Sequence, residues 1–150
     1  MRVLKLVAVV LSIFALASCG PRGESKSVQE VLDTARDRFA KEDIAALKPE
    51  ASQNVQALVR EIEGMVKATD RLVTDGNGAV SEGAARAVTN LEAVIERSGV
   101  TVRPAIAELT NQYRMLAIAR DPINPGAVKL LVARTYSTLC SELETSKFSL

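Results

Sequence analysis

Histidine and tryptophan are absent from this 150-residue chain, which has only two tyrosines, three phenylalanines and two cysteines. Without histidine, the commonest general base at neutral pH is missing, and with it the Ser-His and Cys-His pairs and a frequent ligand of zinc. That absence counts against most hydrolases, and the chain is expected not to be an enzyme and to need no cofactor. Few aromatics also means few of the usual anchors of a tight protein interface. Charge of one sign is lacking too: 19 basic side chains face 18 acidic ones. They are interspersed, so no field is available to recruit nucleic acid and no polybasic cluster to bind a membrane surface. No apolar run reaches the roughly 20 residues that a bilayer-spanning helix requires.

The apolar run that is present lies at the N-terminus. Arg2 and Lys5 precede Leu6-Val7-Ala8-Val9-Val10-Leu11-Ser12-Ile13-Phe14-Ala15-Leu16, and small residues follow. A basic start, a short apolar stretch and small residues at its end make a signal peptide, to be set aside in reasoning about the fold.

Leu16-Ala17-Ser18-Cys19 resembles the lipobox of bacterial lipoproteins. The resemblance implies cleavage after Ser18 and lipid on Cys19, the first residue of the mature chain. Two or three acyl chains, at about 0.8 kcal/mol per buried methylene, hold a protein to a membrane far more firmly than one. Gly20 follows the cysteine, where aspartate would favour inner-membrane retention in many Gram-negative bacteria. The implied address is therefore the outer membrane, facing the periplasm, or the cell membrane if the source is Gram-positive.

Removing residues 1–18 leaves 132 residues, enough for one domain with a sizeable core. Arg2 and Lys5 leave with the signal, so the formal charge passes from +1 to −1. Gly20-Pro21-Arg22-Gly23-Glu24-Ser25-Lys26 carries no large apolar side chain, so residues 19–26 read as the lipidated cysteine and a flexible tether. From residue 27 to 150 the pattern is helical. Ser27-Val28-Gln29-Glu30 forms a capping box, opening a helix with Val28, Val31, Leu32, Ala35 and Phe39 on one face. Between Glu50 and Val73 a stronger stripe runs through Val55, Leu58, Val59, Ile62, Met65, Val66, Thr69 and Leu72.

After a loop at Thr74-Asp75-Gly76-Asn77-Gly78, Ser81 is placed to cap a third helix burying Ala84, Ala87, Val88, Leu91, Val94 and Ile95. Ser98-Gly99 closes that helix, and Val100-Thr101-Val102-Arg103 reads as an extended connector. Pro104 starts a fourth helix marked by Ile106, Leu109, Tyr113 and Leu116. Asn124-Pro125 launches a fifth through Val128, Leu131, Val132, Thr135, Tyr136, Leu139, Cys140 and Leu143, and Ser146–Leu150 should fray. No segment returns at a fixed period, which excludes a solenoid. The expected fold is all-α, a four- to five-helix bundle with mostly antiparallel neighbours.

Few side chains stand out chemically against that frame. Cys140 lies among apolar residues with no cation within one turn, so it reads as a small buried side chain rather than a reactive thiol. Glu92 and Glu96 share a helix face and read as solvated charge. Tyr113 and Tyr136 read as core residues with wet hydroxyls.

Residues 73–84 resemble an EF-hand calcium loop with Gly78 as its turn glycine. Asp75 and Asn77 fall at ligand positions 3 and 5 and Ser81 at position 9, but Val73 and Ala84 stand where the first and last charged ligands belong. That resemblance implies weak calcium binding at most, and the same residues make a good helix-to-helix turn. The expected function is that of a membrane-anchored lipoprotein whose helical domain binds or supports other components of the cell envelope, such as an assembly or secretion complex. The alternative is a small-ligand or weak calcium sensor using residues 73–84. The membrane, through the lipid on Cys19, and an envelope protein are the expected partners.

Overall fold

The computed structural model describes residues 21–44, 49–97 and 104–147. They are all-α: α1 (Pro21–Ala40), α2 (Pro49–Thr69), the single turn α3 (Leu72–Asp75), α4 (Gly78–Arg97), α5 (Pro104–Ala117) and α6 (Pro125–Lys147). Among the described residues there is no strand, and no helix is long and apolar enough to cross a membrane. Residues 1–18, Cys19, Ser98-Gly99, the connector 100–103 and the last three residues lie outside the described residues.

Four of the chain's five prolines stand at the first position of a helix: Pro21, Pro49, Pro104 and Pro125. The missing proline amide would have no intrahelical partner there, and its fixed φ suits the first turn. Asn124 completes the start of α6, its Oδ1 accepting from the Gly126 amide at 2.8 Å and the Ala127 amide at 3.3 Å.

Two expected starts move. α1 begins at Pro21, so residues 21–26 of the expected tether are helical and Ser27 and Glu30 sit inside the helix instead of capping it. Polar residues accept helix geometry readily when a proline starts the helix and an apolar stripe downstream holds it to the core. α4 begins at Gly78, so Ser81 is already within it, its amide donating to the Asn77 carbonyl at 2.9 Å.

One core runs through the five long helices. Leu32, Ala35 and Phe39 of α1 join Val55, Leu58, Ile62 and Met65 of α2, Val80, Ala84, Ala87 and Leu91 of α4, Ile106, Leu109 and Tyr113 of α5, and Val128, Val132, Ala133, Tyr136, Leu139 and Cys140 of α6. Val31 departs from the expected face and is exposed.

Helix α2 lies antiparallel to α4, which lies antiparallel to α5. Met65 meets Gly83 and Glu61 meets Arg86 across the first pair; Ser81 meets Leu116 across the second, and just beyond the ends of that pair Asn77 meets Ala119. α1 packs mainly along α6, so the first and last helices are partners.

The direction of α1 follows from chain length. Arg36 on α1 is bonded to Glu63 on α2, and Pro49 lies about 21 Å up the α2 axis from Glu63, at 1.5 Å per residue. Lys41, Glu42 and Ile44 fold back in turns, donating to the carbonyls of Arg38, Phe39 and Glu42. The stretch from Ile44 to Pro49 can reach about 17 Å at most. α1 must therefore climb toward the Pro49 end, antiparallel to α2. Its N-terminus then lies at the opposite end of the bundle, together with α3, the first turn of α4, the end of α5 and the start of α6.

Candidate functional site

The elbow end of the bundle is built around Asn77. This residue follows Gly76, whose φ of 67° is the left-handed conformation that glycine adopts without steric cost. From there the Asn77 side chain crosses to the segment joining α5 and α6. Its Nδ2 donates to the Asp121 carbonyl at 2.8 Å and to the Ala119 carbonyl at 3.4 Å, and its Oδ1 accepts from the Ile123 amide at 3.1 Å. Ser81 Oγ donates to the Leu116 carbonyl at 3.4 Å, satisfying a C-terminal carbonyl of α5.

These bonds correct the calcium-loop resemblance. Residues 72–75 and 78 onward are helical, leaving only a two-residue turn at Gly76-Asn77 where twelve residues would have to wrap an ion. The Asn77 and Ser81 side chains are spent on backbone groups 35 to 46 residues away, and Asp75 is exposed.

Beside this junction, a cavity of about 410 Å³ opens between the end of α5 and the start of α6. Met115, Leu116, Ile123, Ala127, Val128 and Leu131 make its apolar wall, and Gln112, Asp121 and Asn124 its polar edge. Large apolar side chains are exposed around it: Met115 is 67% exposed and Ile118 71%, and on the neighbouring α3 Val73 is fully exposed.

A second polar cluster lies where α1, α2 and α6 meet. Arg36 grips Glu63 with both arms of its guanidinium, Nε to Oε1 at 2.7 Å and Nη2 to Oε2 at 2.8 Å. Tyr136 donates its hydroxyl to the same Oε1 at 2.6 Å, and its ring lies 5.1 Å from that of Phe39. Burial alone would raise the Glu63 pKa, but the hydrogen bonds from Arg36 and Tyr136 outweigh it and hold the carboxyl below its ordinary range. The hydrogen bond to Glu63 raises Arg36, and burial followed by the bond to Glu63 raises Tyr136. Every member is satisfied by a neighbour, which makes the cluster a clamp between three helices.

Tyr113 is fully buried, its hydroxyl 2.7 Å from Thr135 Oγ1. Thr135 spends its own proton on the Leu131 carbonyl at 2.8 Å, so Tyr113 is the donor. Both tyrosine hydroxyls therefore have protein partners, which corrects the expectation that they are wet.

Cys140 is buried, as its apolar neighbours implied. Glu92 is exposed and paired with Arg114 across α4 and α5. Among the described residues no group of three or more Cys, Asp or Glu side chains is placed to hold a metal ion.

Asn77 and Glu63 are the two residues whose importance the amino-acid sequence hides. Their partners lie 42 to 46 and 27 to 73 positions away, beyond any local pattern. No protein-family model, curated protein or solved structure matches this chain.

Proposed function

We propose that this protein is a bacterial lipoprotein, held to a membrane by lipid on Cys19, whose helical bundle acts as a binding or structural component of the cell envelope. The observation that carries the reading is the cysteine's place, directly after Leu16-Ala17-Ser18 at the end of an apolar run that opens with Arg2 and Lys5. A nearly neutral bundle supports it from another side. Without a field of one sign, membrane attachment has to come from lipid rather than from electrostatic attraction.

The outer membrane, facing the periplasm, is the address in a Gram-negative cell, because Gly20 rather than aspartate follows the cysteine. The partner is another envelope protein, engaged through the exposed surface of the bundle. The test is to express the wild type and Cys19→Ser in bacteria fed a labelled fatty acid. Label on the wild type, with unlabelled precursor of higher mass for the variant, is the expected result. Equal labelling of the two, or none on the wild type, would overturn the assignment.

A further inference from the structure

The elbow end combines two apolar features. Val73, Met115 and Ile118 leave large apolar side chains in water, and the cavity beside Met115 is walled by apolar groups. α3 buries none of its residues, so the outward position of Val73 is not the by-product of a tightly packed turn. Asn77 ties α3 and the α5–α6 segment into one rim, which keeps Val73 and Ile118 at the same end of the molecule.

The start of α1 lies at that end too. Cys19 is only two residues before Pro21, a reach of about 7 Å of chain. Lipid on that cysteine would hold the bilayer against the end of the bundle carrying the three apolar side chains.

We propose that this end is a membrane-contacting face, with Val73, Met115 and Ile118 entering the interfacial region of the bilayer to which Cys19 is anchored. The proposal rests on the lipid attachment proposed above. Charge does not drive the contact: Arg71 and Arg120 are exposed at this end, but so are Asp70, Asp75 and Asp121. Apolar burial is the attraction that remains, and it needs no anionic lipid. Its role would be to fix the orientation of the bundle on the membrane and leave the flanks of α4 and α6 turned toward partners.

The chain has no tryptophan, so a single introduced one reports alone. Full-length lipidated protein carrying Ile118→Trp, Val73→Trp or, on the exposed flank of α4, Thr89→Trp would be reconstituted into phosphatidylcholine vesicles with and without brominated acyl chains. A blue shift and bromine-dependent loss of emission at positions 118 and 73, with neither at 89, is expected. Lipid-labelled protein without quenching at 118 and 73 would overturn the contact while leaving the anchor intact. Equal quenching at all three positions would overturn the orientation. Quenching at 118 and 73 in protein that carries no lipid would keep the contact and overturn the anchor, and the absence of both label and quenching would overturn both.

Discussion

At Gly83 the backbone of α4 comes so near Met65 of α2 that a Cβ there would lie 2.5 Å from the methionine Cγ. Gly64, one residue from Met65 and exposed, has nothing within 4 Å of the same position. Opposite effects are therefore expected from the same substitution. Gly83→Ala should cost about 1–3 kcal/mol through overpacking. Gly64→Ala should add about 0.5–1 kcal/mol by removing the entropy cost of glycine within a helix. Urea unfolding of both variants checks the pair, and equal signs would contradict the close approach.

Glu63 offers a second residue-scale test. Its folded pKa is lowered, so its contribution is fully present above the unfolded value of about 4.3 and is lost as pH falls through the folded value. Glu63→Gln should cost about 1–3 kcal/mol at pH 7, with a weaker grip on Arg36. It should also flatten the loss of stability below about pH 4.3. Parallel acid limbs for wild type and variant would remove Glu63 from that role.

Among the elements, the joint between α5 and α6 depends most visibly on one side chain. Ala119, Asp121 and Ile123 all bond to Asn77, which lies in the turn before α4. Asn77→Ala should destabilise the fold by about 1–3 kcal/mol, the usual range for partners left unsatisfied. The effect should be local: hydrogen exchange at the Ile123 amide should accelerate far more than at Leu109 or Leu58 in the core. A uniform change across the chain would mean that Asn77 supports the whole bundle instead of this joint.

Element boundaries also show which local signals are dependable. Pro125 with Asn124 and Pro104 mark helix starts as expected, because proline restricts φ and asparagine can satisfy free amides without help from distant residues. Ser27 and Ser81 carry equally good local signals and are not caps. In each case the helix starts earlier, at Pro21 and Gly78, so the serine amide is already committed inside it.

At the scale of the whole molecule, two of the polar junctions between helices include a tyrosine. Tyr113 joins α5 to α6 and Tyr136 joins α6 to α2, and burial raises the pKa of each. A raised folded pKa means stability that is complete below the unfolded value of about 10 and is lost as pH rises beyond it. These are the chain's only tyrosines, so absorbance at the tyrosinate band reports both without background. The native protein should develop little tyrosinate signal at pH 10.5 and then gain it together with loss of helical circular dichroism. Urea-unfolded protein should titrate near pH 10. A native titration at the unfolded midpoint, with helix content intact, would contradict burial of the two hydroxyls.

Much of this was legible in the order of residues. The spacing of Leu58, Ile62 and Met65, or of Val132, Tyr136, Leu139 and Cys140, specifies an amphipathic helix wherever a core is available, because helix periodicity alone puts those side chains on one face. Leu16-Ala17-Ser18-Cys19 is likewise a local pattern, and the lipid attachment proposed from it rests on that pattern alone. Tertiary structure decided what local spacing cannot encode: that α1 lies along α6, that Gly83 must admit Met65, that Val31 faces water while Glu63 is gripped, and that Asn77 braces a segment more than forty positions away. Periodicity sets which side of a helix is apolar, whereas the partner of that side, and the partner of each polar group at its edge, exist only once all the helices compete for the same core.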